Sequence, residues 1–254
     1  MFTSTPPWVL SLGLLVLMLI GREIGYALHR RHARRVTPGE DDGKAEFALS
    51  AVLGLLALLI GFTFSLAPAR YETRRELVVS EANAMGTTWL RFDLLDAAQR
   101  DRARDLMRQY AVARLAYGLA DDPGEVVLAF HKADAIQARL WTEIATDMVP
   151  VRTTALAPLL LGPANEMIDI AGERTAAAEA HVPARLAGTL GLYCFVAAGL
   201  IGYLRGRYRT ATTLVFLLVV LALGLVADLD MPTKGLVRVP QEPIAAFIRS
   251  MDAN

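Results

Sequence analysis

The sequence predicts an all-α, polytopic membrane protein: four transmembrane helices, with a helical-bundle domain inserted between the second and the third. Three observations predict it. Residues 47–67 carry no ionisable group and at helical rise reach ~30 Å, the hydrocarbon thickness of a bilayer. Three more apolar runs of comparable length flank a long central region. In that region apolar residues recur at alternating steps of four and three, the seam of packed helices, and strand alternation is nowhere sustained. Composition agrees: 54% hydrophobic and 20% charged residues, with a mean hydropathy of +0.37, is too apolar for an ordinary soluble domain of this size.

The first span runs from Trp8 to about Leu28, with Thr5 as its N-cap and Pro6 and Pro7 in the first turn. No Lys or Arg precedes Arg22, so the segment lacks the basic region of a signal peptide, and Arg22 is expected to snorkel to the interface. A basic loop leads to the second span, and residues 1–67 form the first region. Beyond Pro68 the helical pattern continues into a charged segment, so a rod emerging from the membrane is expected. The bundle occupies residues 68–181 and reads as four helices. Their seams are Val78, Ala82, Met85, Trp89 and Phe92; Leu106, Tyr110, Ala113 and Tyr117; Phe130, Ala133, Gln137, Leu140 and Ile144; and Leu156, Leu160, Pro163, Met167 and Ile170. Breaks fall at Asp121-Asp122-Pro123-Gly124 and near Pro150. Spans three (Leu186 to Tyr203) and four (Thr210 to Ala227) make up residues 182–227. In the tail, residues 228–254, Ile244, Phe247, Ile248 and Met251 share one side of a short amphipathic helix that lies on the membrane or on the bundle.

Charge sets further expectations. The 26 basic and 26 acidic residues cancel, so no global field argues for a nucleic-acid partner. Arg30, Arg31, Arg34, Arg35 and Lys44 in the first loop, and Arg205, Arg207 and Arg209 between spans three and four, place these loops in the cytoplasm of a bacterial inner membrane. Both termini and the bundle then lie outside the cytoplasm. The single cysteine, Cys194, excludes an intrachain disulfide and a cysteine metal site. His29 and His32 sit in a basic run suited to lipid headgroups, and His131 and His181 lack ligand partners in sequence. No nucleophile elbow, phosphate loop or HExxH is present, so neither an enzyme nor a metal or cofactor is expected.

Five small residues of span two, Ser50, Gly54, Ala57, Gly61 and Ser65, form a helix-packing stripe. Its bulkier side, with Leu58 and Phe62 four apart, suits lipid contact or a constriction that gates by dewetting. On the emerging helix Ser80, Asn83 and Thr87 form a small polar stripe free of charge, suited to a wet, confined surface or a close helix contact. Glu81 is expected to form a structural ion pair with an arginine of another helix. Asp228 and Asp230 follow span four, where the carbonyl end of a helix disfavours carboxylates, so a latch to Arg70, Arg74 or Arg238 is expected.

Three segments carry a family resemblance: Arg70 to Arg91 (RYETRRELVVSEANAMGTTWLR), Arg108 to Arg114 (RQYAVAR), and Asp228 to Val239 (DLDMPTKGLVRV). In these motifs and their order the chain resembles the bacterial bestrophin-like membrane proteins, a family of unknown function with remote similarity to bestrophins. The resemblance implies a pentameric anion channel whose second span lines the pore and continues into a soluble helical region, as Gly61 to Tyr71 does here. It also implies a cytoplasmic bundle, opposite to the charge count. The chain departs from bestrophins in having no dense acidic run like their calcium clasp. The expected function is therefore an oligomeric membrane protein conducting small anions. The alternative is a non-conducting sensor or scaffold with an extracytoplasmic helical domain.

Overall fold

The computed structural model describes residues 6–32, 42–205, 208–231 and 235–252, and every regular element among them is helical. The elements are α1 (Pro7–His32), α2 (Asp42–Arg91), α3 (Ala97–Leu119), α4 (Pro123–Asp147), α5 (Leu156–Glu179), α6 (Ala184–Arg205), α7 (Arg209–Asp230) and α8 (Glu242–Asp252), with short 3-10 turns at Phe92–Leu94 and Val149–Val151. Helices α1, α2, α6 and α7 contain stretches long and apolar enough to cross a membrane. The chain divides into two compact units, residues 1–70 with 181–237, and residues 71–180 with 238–254. Thr5, Arg34, Arg35 and Arg207 lie outside the described residues.

The membrane unit is organised by close contact between α1 and α6. A Cβ on Gly25 would stand 1.9 Å from the Gly199 carbonyl oxygen, one on Gly202 2.1 Å from that of Arg22, and one on Gly21 2.8 Å from that of Phe195. Gly21 and Gly25 are four apart, the spacing that lets two membrane helices meet backbone to backbone where burying apolar surface gives little drive. Met18, Leu56, Cys194, Ala198 and Phe216 fill the core beside this contact. Outward-facing Leu12, Ile20, Leu28, Leu218 and Leu221 stay exposed, as lipid requires. Arg22 does not snorkel. It is buried and donates to the Thr213 and Thr212 hydroxyls at 2.7 and 3.3 Å and to the Arg209 carbonyl at 3.2 Å, while Glu23 pairs with both Arg22 and Arg209. The glycine contact brings α1 and α6 so close that Arg22 meets α7 before it can reach headgroups.

The bundle unit, residues 71–180 with 238–254, is built around one apolar core. Met85, Trp89, Phe92, Leu106, Tyr110, Ala133, Leu140, Ile144, Leu160 and Met167 are buried in one core, while Leu156 is exposed. Asp122 starts α4 by accepting from the Gly124 amide at 2.7 Å, with Pro123 in the first turn, where its missing N–H costs nothing. At the start of α3 the Gln99 side chain reaches back to the Asp96 amide at 3.3 Å. Helix α8 packs on the bundle: Ile244, Phe247 and Met251 are buried, and the Phe247 ring meets Trp89 edge-on at 6.4 Å.

Gly25→Ala should lower the thermal midpoint in detergent, because its methyl group has no room against Gly199 and overpacking costs ~1–3 kcal/mol. Thermal unfolding followed by size exclusion checks this, with Gly43→Ala, where a Cβ meets nothing within 4 Å, as the tolerated control.

Candidate functional site

Helix α2 has one face bound to its own chain and one face free. Leu56, Thr63, Ala67, Arg74, Val78, Glu81, Ala82 and Met85 are buried along it. The packing stripe read from sequence, Ser50, Gly54, Ala57, Gly61 and Ser65, is exposed, and a Cβ on Gly54 or Gly61 meets nothing within 4 Å. Leu58 and Phe62 are exposed as well, Phe62 by 62%. Within the chain the span of α2 is 11% buried, against 22% for α1 and for α7. The close helix contact thus belongs to Gly21, Gly25, Gly199 and Gly202, whose spacing was readable in the sequence.

Beyond the span, Ser80, Asn83 and Thr87 are exposed, and the Thr87 hydroxyl donates back to the Asn83 carbonyl at 3.0 Å. Asn83 and Thr87 border a groove of about 590 Å³ whose other side is Pro243, Ala246, Phe247 and Ser250. At 100° per residue, Gly54, Leu58 and Ser65 fall within about 40° of one another in the span, and Asn83 and Thr87 fall within about 60° of Glu72 and Glu76 beyond it, both glutamates being exposed. Glu72 pairs with Arg75 at 2.9 Å.

On the opposite face, Glu81 is completely buried. Its two oxygens accept from Arg114 of α3 and Arg174 of α5 in short charge-assisted bonds, and Arg174 also donates to Gln241, just before α8. Both guanidinium groups lie over the Tyr117 ring, at 4.9 and 5.7 Å from its centroid. Burial works to lower the Arg114 pKa, but the charge of Glu81 and the hydrogen bond to it outweigh burial, so the guanidinium is held charged. Burial, reinforced by Glu81, pushes the Tyr110 phenol far above its ordinary range, and it stays a neutral donor to Gln137 at 3.0 Å. The signal for Arg114 lay in its place beside the seam residue Ala113, four residues after Tyr110; nothing local marks Arg174.

The tail acidic residues have different partners. Asp230 accepts from Arg70 at 3.0 Å and from the Val182 amide at 2.9 Å, and His181 Nδ1 lies 3.1 Å from its carbonyl oxygen. Asp228 accepts from the amides of Leu236 and Val237 at 2.7 and 3.0 Å. These donors offset the unfavourable carbonyl end of α7. The other two arginines go elsewhere. Arg74 donates to the carbonyls of Ala177 and Ala180 at the end of α5, at 2.9 and 2.7 Å, and Arg238 pairs with Asp121 at 2.7 Å. Among the described residues no group of three His, Cys, Asp or Glu could hold a metal ion.

Four apolar span-length helices, a helical bundle and an α2 that extends through both units' sequence define a membrane protein of bestrophin-like architecture. The Bestrophin-like domain family matches residues 16–244, and the chain belongs to that family. Solved structures agree on the fold. One crystal structure described only as a membrane protein aligns with a TM-score of 0.68 at 15% identity, covering 95% of this chain and 97% of that one. A bacterial bestrophin homologue from Klebsiella pneumoniae, phased on zinc, gives 0.66 at 16% identity over 95% of each chain. A point variant of the Klebsiella pneumoniae homologue gives 0.68 at 15% identity, covering 97% of this chain and 95% of that one. No curated protein matches the chain in sequence.

Glu81→Gln should destabilise the bundle by about 3–5 kcal/mol, because two buried guanidinium groups lose their counter-charge. Denaturant unfolding of the purified protein, followed by tryptophan fluorescence, checks this; a change below about 1 kcal/mol would mean that the arginines find other acceptors.

Proposed function

We propose that the chain is one protomer of an oligomeric ion channel of bestrophin build, a pentamer as the resemblance implies, with the free face of α2 lining the axis. The observation that carries this reading is the disparity of burial along α2: it is the least covered span in its own chain, yet it continues into an exposed polar stripe. Packing of further copies around α2 accounts for both. Leu58 and Phe62 would then form a hydrophobic constriction, which resists ions because it cannot replace their hydration. Ser80, Asn83 and Thr87 would continue the path, with the Asn83 amide as a donor to a passing anion.

Small anions are the ions the bestrophin resemblance implies. Glu72 and Glu76 on the same sector favour a second reading, conduction of cations, since acidic rings attract cations. Flux through proteoliposomes should therefore be measured for chloride and for potassium, in wild type, Phe62→Ala and Asn83→Leu at matched reconstitution. Phe62→Ala should raise flux, and Asn83→Leu should lower or reshape it. No flux of either ion in all three proteins would favour the non-conducting sensor or scaffold.

The bundle is proposed to be cytoplasmic in a bacterial inner membrane. Basic residues flank the spans at the bundle end of the sequence as well: Arg70, Arg74, Arg75, Arg174, Arg185, Lys234 and Arg238 stand against Arg22, Arg30, Arg31, Arg34, Arg35, Lys44, Arg205, Arg207 and Arg209. At seven against nine the positive-inside rule opposes the orientation of bestrophins only weakly. In a Cys194→Ser background, a cysteine replacing exposed Asp122 should react with a membrane-impermeant thiol reagent only after lysis. Labelling in intact cells would put the bundle outside.

A further inference from the structure

The membrane unit contains a cavity of about 720 Å³, bordered by Leu14 and Leu17 of α1, Gly188, Gly191 and Phe195 of α6, and Leu223 of α7. Its walls along the spans are apolar except for Ser11 and Thr63, whose hydroxyls donate back to carbonyls of their own helices, and His181 and Asp230 border one end. On α6 the lining runs from Ala184 to Phe195, which at helical rise is ~17 Å. That is close to the depth of one leaflet, half of a hydrocarbon core of ~30 Å. The polar end coincides with the beginning of α6 and the end of α7, so the cavity runs from the edge of the spans to their middle.

Its glycines differ from those of the α1–α6 contact. A Cβ on Gly13, Gly188 or Gly191 would meet nothing within 4 Å, so these residues leave space that no part of the chain fills. The groove is open along one side and leaves room for a polymethylene chain along that length. At the polar end the Asp230 carboxylate is already taken by Arg70 and the Val182 amide. Arg185, on the first turn of α6, does not itself border the cavity but follows the bordering Ala184; it is exposed and has no side-chain partner among the described residues.

We propose that this cavity holds one acyl chain of a bilayer phospholipid, with the lipid phosphate at Arg185 and His181. An acyl chain in the slot gains packing contacts where the protein would otherwise leave a void, and the guanidinium fixes the headgroup at the edge of the span. The site is independent of whether the protein conducts.

Native mass spectrometry of the intact protein, delipidated in mild detergent and titrated with phosphatidylglycerol, tests this. Wild type should retain one tightly held lipid per protomer. Gly188→Leu with Gly191→Leu should weaken retention about tenfold or more at unchanged oligomeric mass, since the side chains take the place of several methylenes in the slot and remove their packing contacts. Arg185→Ala should weaken it without filling the slot, and Arg185→Lys should restore most of it. Absence of a retained lipid in wild type, or equal retention in the filled variant, would overturn the proposal. Loss of the oligomer in the filled variant with lipid retention intact would also overturn it and assign the cavity to a second copy. If the filled variant does not fold, unchanged retention in Arg185→Ala overturns the proposal.

Discussion

The bundle depends on a single buried carboxylate. Glu81 projects from α2 into a core from which water is excluded, and a lone ionised carboxylate there would cost several kcal/mol. Two arginines, from α3 and α5, make it tolerable, and Gln241 joins the start of α8 to the same network through Arg174. Such a network adds little net stability over an apolar core, but it fixes which helices meet and at what register. The Tyr117 ring beneath both guanidinium groups limits the excess of positive charge that two arginines bring to one glutamate.

The membrane unit solves a different problem. Lipid is as apolar as the leucines of a span, so apolar burial cannot drive α1 against α6; backbone approach and satisfied polar groups must. Glycines on both helices provide the approach, and Arg22, Glu23, Arg209, Thr212 and Thr213 form a bonded cluster at one edge. Arg205 with Glu46, at 2.8 Å, ties the start of α2 to the end of α6. Helix α2 has no comparable glycine contact within its chain, which leaves its free face available to other copies in the channel reading.

Much of the fold was legible because burial on a helix is periodic. The seam residues Val78, Met85, Trp89, Phe92, Tyr110, Leu140, Leu160 and Met167 announce their helices by spacing alone, and all are buried. The aspartate and proline at 122 and 123 mark the start of α4 through local chemistry that needs no tertiary partner. The candidate path was legible only in part. Leu58 and Phe62 could be placed on one side of the span and Asn83 and Thr87 on one sector beyond it, and Glu72 and Glu76 belong to that second sector by the same arithmetic, yet the charges drew attention away from a stripe defined by small polar groups.

By itself the sequence determined the helical class, the four apolar spans, the bundle and the family, since each rests on residues close together in the chain. The tertiary structure decided which small residues pack and which charges pair. Gly54 and Gly61 look as fit for helix contact as Gly21 and Gly25, but within the chain only the latter face another backbone. Asp228 and Asp230 both seemed to need arginines, but Asp228 is satisfied by two backbone amides and Arg238 is drawn away to Asp121. Such choices depend on distances between helices far apart in sequence, which local periodicity does not encode.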